Sequence, residues 1–161
     1  MAKKIIVLGI GNILMSDEGV GVRAVEAIKE KYTFSENVEL YDGGTTGMMG
    51  LLPLIEEADH LIVIDAVKGP GEPGALYRYT LDELRLNIPK KLSPHDIGFL
   101  ECLSIAEING RLPESVVIIG IKPEDIKTRR MELTEPVAEK IGNLVSMTLE
   151  ELKTLGVEPL T

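Results

Sequence analysis

"KIIVLGI", Lys4 to Ile10, is the stretch that decides the fold. Its apolar residues follow one another without polar alternation, the pattern of a strand covered on both faces by helices, and such strands pair in parallel. Immediately downstream, "DEGVGVRAVEAIKEKY" (17–32) spaces Val20, Ala24, Ala27 and Ile28 as one helical face, with Ser16 as the expected N-cap and acids in the first turn. Strand, loop and helix form one unit, and the unit recurs. "VELYD" (38–42) precedes the helical "GGTTGMMGLLPLIEEA" (43–58), and "HLIVIDAV" (60–67) precedes "KGPGEPG" (68–74), too broken by glycine and proline to be regular. "ALYRYT" (75–80) alternates Tyr77 and Tyr79 with Leu76 and Arg78 and reads as an edge strand.

Farther on, "SPHDIGFLECLSIAEING" (93–110) has the marks of a helix: Ser93 as N-cap, Pro94 at N1, Asp96 closing a capping box and Gly110 ending it. "SVVIIGI" (115–121) is a fifth, fully apolar strand. A last helix is expected from "LTEPVAEKIGNL" (133–144) through "LEELKTLG" (149–156), with Pro136 tolerable only in the first turn. The alternation predicts an α/β fold, a three-layer α/β/α sandwich with a mostly parallel five-stranded sheet and helices on both faces. No repeat or linker divides the chain, so one domain is expected over 1–161.

Composition narrows the function classes. A chain of 161 residues with 44% hydrophobic residues can bury roughly 70% of the surface its unfolded form exposes. Lys and Arg number 17 against 26 Asp and Glu, a net charge of −9, and aromatics are only 4%. Nucleic acid and anionic membranes would be repelled, and base-stacking platforms are lacking. Cys102 is the only cysteine, which excludes an internal disulfide and a cysteine-based zinc site and fits a reducing cytoplasm. The N-terminal "MAKKIIVLGIGNILM" imitates a signal peptide, but Asn12 interrupts it and no small-residue cleavage site follows. "LIVIDAV" (61–67) is far short of the roughly 20 residues that span a bilayer and contains Asp65, so no membrane insertion is expected.

In open α/β sheets, sites form beyond the carboxyl ends of the strands. Glu18 follows the first strand, Asp42 ends the second, Asp65 ends the third and His95 opens a later helix, so topology would gather all four along one edge. Carboxylates crowded there repel one another, and a cation would relieve the repulsion. Glu18 and Asp65 offer oxygen and His95 nitrogen, a three-donor set that leaves positions open on a divalent transition metal. At a helix N-terminus the dipole disfavours a second proton on an imidazole, which suits a ligand.

Each residue also has a plainer reading. Acids in a first helical turn are commonplace, so Glu18 needs no function, and Asp17 is expected to be a solvated first-turn acid. Asp65, ending "LIVI", is costly to desolvate unless it hydrogen-bonds a loop or binds something. His95 could be a polar first-turn residue, and the spacing matches no local metal motif. His60 is expected to face solvent or pair with Asp59 or Glu57, and Cys102 to be core. A Cys102–His95 dyad, seven residues apart, is a third possibility that burial of the thiol would disfavour. Gly9-x-Gly11 begins like a dinucleotide fingerprint, but Leu14 stands where the third glycine belongs. "DGGTTG" (42–47) would bare backbone N–H groups to a ligand yet lacks the lysine of a phosphate loop. A nucleotide-binding or regulatory domain is therefore the alternative to an enzyme.

Taken together, "GIGNILMSDEGVGVRAVE", "DGGTTGM", "HLIVIDAV", "SPHDIGF" and "VVIIGIKPE" resemble the hydrogenase maturation endopeptidases, in the family's order and along nearly the whole chain. The resemblance implies a cytoplasmic protease that removes a short C-terminal extension from the large-subunit precursor of a nickel-iron hydrogenase after nickel insertion. It implies Glu18, Asp65 and His95 as ligands of nickel that the precursor itself carries, with another divalent ion able to substitute in the isolated protein. Asp42 and Asp65 are the catalytic carboxylates it implies, which of them acts as general base being open, and the family has been classed with aspartic-type peptidases. Gly43, Gly44 and Thr45 would contact the substrate peptide. Asp96 departs from the glutamine of some members, and "KGPGEPGALYRY" (68–79) is expected to vary with the partner.

Overall fold

The computed structural model of the protein describes residues 2–44, 48–86 and 94–161, the side chains at 48–49 and 94–97 excepted. Five strands form one sheet: β1 (Ile5–Ile10), β2 (Val38–Gly44), β3 (His60–Ala66), β4 (Leu76–Thr80) and β5 (Ser115–Ile121), in the order β2-β1-β3-β5-β4. β1 pairs in parallel with β2 and β3, β3 in parallel with β5, and β4 closes the edge antiparallel to β5. The unbroken apolar runs behave as expected: every residue of β1 is buried, as is all of β3 and β5 beyond the first residue. β2, at the other edge, is half-buried along most of its length.

The crossover from β1 to β2 runs one way along the sheet and the crossover from β2 to β3 runs the other way, so two right-handed connections place their helices on opposite faces. α1 (Val20–Lys31) leads to β2 and packs with α6 (Ile141–Thr154) over Ile5, Val7, Ile62 and Ile64. α2 (Met48–Glu57) leads back to β3 and packs with α4 (Pro94–Ile108) over Ile6, Leu8, Val63 and Ile118. The core is thus two apolar layers separated by the sheet, each fed by alternate residues of the same strands.

Several local expectations need correction. Ser16 does not cap α1: residues Ser16–Gly19 form a 3-10 turn, Gly19 occupies the cap position without a side-chain bond, and the Ser16 hydroxyl donates to the Glu132 carbonyl at 2.9 Å. The last helix is two, α5 (Glu135–Ala138) and α6, parted at Lys140, whose N–H turns back to the Val137 carbonyl at 3.0 Å. α3 (Leu81–Leu86) was not expected, although "TLDE" is a capping box in which Thr80 Oγ1 accepts from Glu83 N–H and Glu83 Oε1 accepts from Thr80 N–H. Gly110 ends α4 in the left-handed region (φ 70°) as expected, with Arg111 N–H reaching the Ala106 carbonyl at 2.8 Å. Ser93 lies outside the described residues, as does the Asp96 side chain. Among the described residues, no helix is long and apolar enough to cross a membrane.

Candidate active site

The chain moves from β1 to β2 on one side and returns to β3 on the other, so the strand order reverses at β1. The carboxyl ends of β1 and β3 therefore border the crevice where open α/β sheets bind ligands. Glycine shapes this crevice. A Cβ on Gly21 would stand 2.0 Å from the Ile64 carbonyl oxygen, so only glycine lets the start of α1 rest on the end of β3. Gly11, at φ 127°, approaches the Ser16–Gly19 turn that follows it so closely that a Cβ would meet the Glu18 carbonyl at 1.8 Å. These contacts fold "GIGNILMSDEGVG" back on itself and seat the Ser16–Gly19 turn against β3.

Asp65 is the penultimate residue of β3 and is 2% exposed. Its Oδ1 accepts from the Ala66 N–H at 2.9 Å, and the side chain borders a small cavity otherwise lined by Ile10, Val63, Val67, Leu84, Phe99 and Ile118. A carboxylate in such apolar surroundings is costly to keep, which is the expense a binding function would justify. Glu18 is half-buried on the turn that packs against this strand. The backbone of His95 lies in the first turn of α4, but its side chain lies outside the described residues. Among the described residues, no three His, Cys, Asp or Glu side chains are placed to hold an ion. The described residues bring the turn that bears Glu18 against the strand that bears Asp65.

Asp42 is exposed near the end of β2, in register with Gly9, and lines a shallow groove with Gly11, Asn12, Ile13, Leu14 and Gly44. β1 stands between β2 and β3, so Asp42 and Asp65 sit two strand spacings apart, roughly 10 Å. Carboxyls that share a proton stand about 3 Å apart. Gly43 is buried, and a Cβ there would stand 2.8 Å from Leu8 Cδ1, which gives this glycine a packing reason of its own. Gly44 adopts φ 46° and accepts from the Gly11 N–H at 3.1 Å, tying the two loops at the crevice mouth. Thr45 lies outside the described residues.

Asp17 is the residue that sequence reasoning misjudged. It is not solvated but 0% exposed. Its Oδ1 accepts from Thr134 N–H (2.8 Å), and its Oδ2 accepts from Glu124 N–H (2.9 Å), Asp125 N–H (3.0 Å) and Thr134 Oγ1–H (2.7 Å). Its neighbours in that loop are ordered too. Asp125 Oδ1 accepts from Lys127 and Thr128 N–H, and the Thr128 bonds, led by its hydroxyl, hold the Asp125 carboxyl down at about 2.

His60 and Cys102 are the other two titratable residues that the sequence singles out. His60 opens β3 at the opposite end of the sheet and pairs with neither Asp59 nor Glu57; its Nδ1 is 2.7 Å from Ser115 Oγ and its Nε2 is 3.6 Å from Glu114. Cross-strand register decides this, because His60 stands directly opposite Ser115. Cys102 is core as expected, 0% exposed among Phe99, Leu103 and Ala106, and burial pushes its thiol pKa up. A cysteine nucleophile needs an accessible thiolate. Iodoacetamide is expected to leave Cys102 unmodified in the native protein and to label it after denaturation, as peptide mass mapping would check.

Comparison with known proteins agrees with this geometry. The hydrogenase maturation protease family model matches residues 22–151. The hydrogenase expression/formation protein HupD of Bradyrhizobium diazoefficiens is 44% identical over 155 residues, covering 96% of this chain and 80% of its own. The hydrogenase 2 maturation protease of Escherichia coli is 37% identical over 158 residues, covering 98% and 95%. The structure of the hydrogenase maturating endopeptidase HybD from E. coli superposes with a TM-score of 0.89 at 37% identity, covering 97% of this chain and 96% of that one. On a match that spans most of the chain and a fold shared nearly end to end, the protein belongs to the hydrogenase maturation protease family.

Proposed function

We propose that the protein is an endopeptidase that removes the C-terminal extension of a nickel-iron hydrogenase large-subunit precursor, and that it recognises nickel already seated in that precursor. The observation that carries the reading is Asp65, a carboxylate 2% exposed at the crevice where the strand order reverses, beside the turn that bears Glu18. In this reading Glu18 and Asp65 supply oxygen, and His95 nitrogen, to the nickel of the substrate. Two or three donors from the enzyme suit an ion whose other ligands belong to the client. Engagement of the ion fixes the scissile peptide relative to the crevice, so the metal serves as both checkpoint and template.

Hydrolysis then needs a water deprotonated as it attacks the scissile carbonyl, and a proton delivered to the departing amine. Asp42 is the exposed carboxylate at the crevice mouth and is open to water, which supports it as the base. Asp65, committed to nickel, acts through charge. The two strand spacings between them favour separate roles over a proton-sharing aspartic pair. Gly43, Gly44 and Thr45 then border the peptide's path. A chain with one cysteine suits the cytoplasm, where such processing is placed.

The nucleotide-binding alternative draws no support, because the space beside Gly11 that a pyrophosphate would need is taken by the Glu18 carbonyl. Purified protein incubated with nickel-loaded and nickel-free precursor tests the proposal by gel shift or mass. Cleavage of the loaded form alone is expected. Equal cleavage of both would overturn nickel recognition, and cleavage of neither would overturn the peptidase reading.

A further inference from the structure

The geometry points to Asp17 as a positioning residue that sets Glu18 at the crevice, an inference resting on the nickel-binding role proposed above. Asp17 is fully buried, and both of its carboxylate oxygens accept from the segment 124–134, four bonds in all: three from backbone N–H groups and one from the Thr134 hydroxyl. None of those bonds caps its own helix, since α1 begins without a side-chain cap. Nor does Thr134 cap α5, because its hydroxyl is given to Asp17. Both helices forgo a local bond so that the Ser16–Gly19 turn and the loop after β5 can be joined.

Strain at the neighbouring residue points the same way. Among the described residues Ser16 is the non-glycine residue with positive φ (52°), a conformation that persists only where surrounding bonds over-determine it. Those bonds are present: Ser16 N–H donates to the Arg130 carbonyl at 2.8 Å, its hydroxyl to Glu132, and Asp17 N–H to the Asp125 carbonyl at 3.0 Å. On the other side of Glu18, Gly19 is packed against Ile13, where a Cβ would stand 2.5 Å from the Ile13 Cα. Ser16, Asp17 and Gly19 are all buried, and Glu18 alone in the turn is half-exposed. The turn is anchored before and after the one side chain it leaves accessible. A ligand must be held within about 0.5 Å of its productive position, and the Asp17 bonds supply that restraint at one residue's distance.

Asp17→Asn tests this, because the amide keeps the shape but presents N–H₂ to an N–H donor in either orientation. The measurement is the initial rate of processing of nickel-loaded precursor, enzyme in excess, for wild type, Asp17→Asn, Glu18→Gln and the double variant, with circular dichroism and melting to confirm folding. Loss of an outer residue that orients a metal ligand costs about 10–100-fold, and that is expected for Asp17→Asn. Acting through Glu18, it should add no more than about twofold in the Glu18→Gln background. A double variant showing the product of the two losses, or an Asp17→Asn rate near wild type, would overturn the inference while leaving nickel recognition intact. A near-wild-type rate for Glu18→Gln alone would overturn the ligand role and this inference with it. If Asp17→Asn does not fold at the assay temperature, Thr134→Val, which deletes only the hydroxyl bond, replaces it in the same cycle with the same criteria.

Discussion

Asp65→Asn is expected to lower processing of a nickel-loaded precursor by at least about 100-fold while leaving the protein folded. The change is isosteric, and the side-chain oxygen that accepts from Ala66 N–H at 2.9 Å can be kept by the amide carbonyl. What is lost is a negative charge in surroundings of Ile10, Val63, Phe99 and Ile118. In the proposed role at the client's nickel, binding loses, because charge attraction in a water-poor site is worth far more than in solvent. Residues that only orient metal ligands cost about 10–100-fold when removed, so a direct donor should cost at least the upper end of that range. His95→Ala should reduce activity in the same direction. Rates of precursor cleavage paired with thermal melts would separate the two effects. Asp65→Asn processing within about threefold of wild type would remove Asp65 from the site.

Gly21→Ala carries the largest expected stability cost. A methyl group at this position would stand 2.0 Å from the Ile64 carbonyl oxygen and 2.8 Å from the Ile10 carbonyl oxygen, both backbone atoms of central strands that cannot swing aside as a side chain would. Relief requires α1 to lift from the sheet, opening the contacts of Val20, Ala24 and Val25. Overpacking of this kind costs about 3 kcal/mol, or roughly 6–12 °C in melting temperature for a chain of this size. Gly142→Ala is the contrast: that glycine is exposed in α6 with open space around its Cβ position, and alanine there should stabilise by about 0.5–1 kcal/mol. Melting curves of the two variants would check both signs. Equal stability of Gly21→Ala and wild type would mean that the helix does not rest on β3 as described.

The two variants also show where the sequence was informative. Gly9 and Gly11 read in the sequence like the start of a dinucleotide fingerprint, yet these two, like Gly19 and Gly21, are needed for close approach of backbone to backbone or side chain. Glycine frequency alone does not distinguish a cradle for phosphate from a place where a helix must touch a strand. Ser16 illustrates the same limit: a serine ahead of acids reads as an N-cap, but its hydroxyl bonds a carbonyl 116 residues away.

Layer order, strand identity and the edge strand were legible because they depend on local signals, whereas its antiparallel direction was seen only in the fold. An unbroken apolar run such as "KIIVLGI" or "SVVIIGI" means burial on both faces, and the Tyr77–Tyr79 alternation means one half-covered strand. The placement of Asp65 was legible for the same reason, since a charge ending such a run has few places to go. Asp17 was not. Its partners are 107 to 117 residues distant along the chain, and nothing in "SDEG" separates the acid that faces inward from the one that stays accessible. Hydrophobic periodicity and turn chemistry act between neighbours in sequence, and they determined the architecture. The distinction between two adjacent carboxylates depends on which one meets the N–H groups of a distant loop, and only the folded chain brings those donors to it.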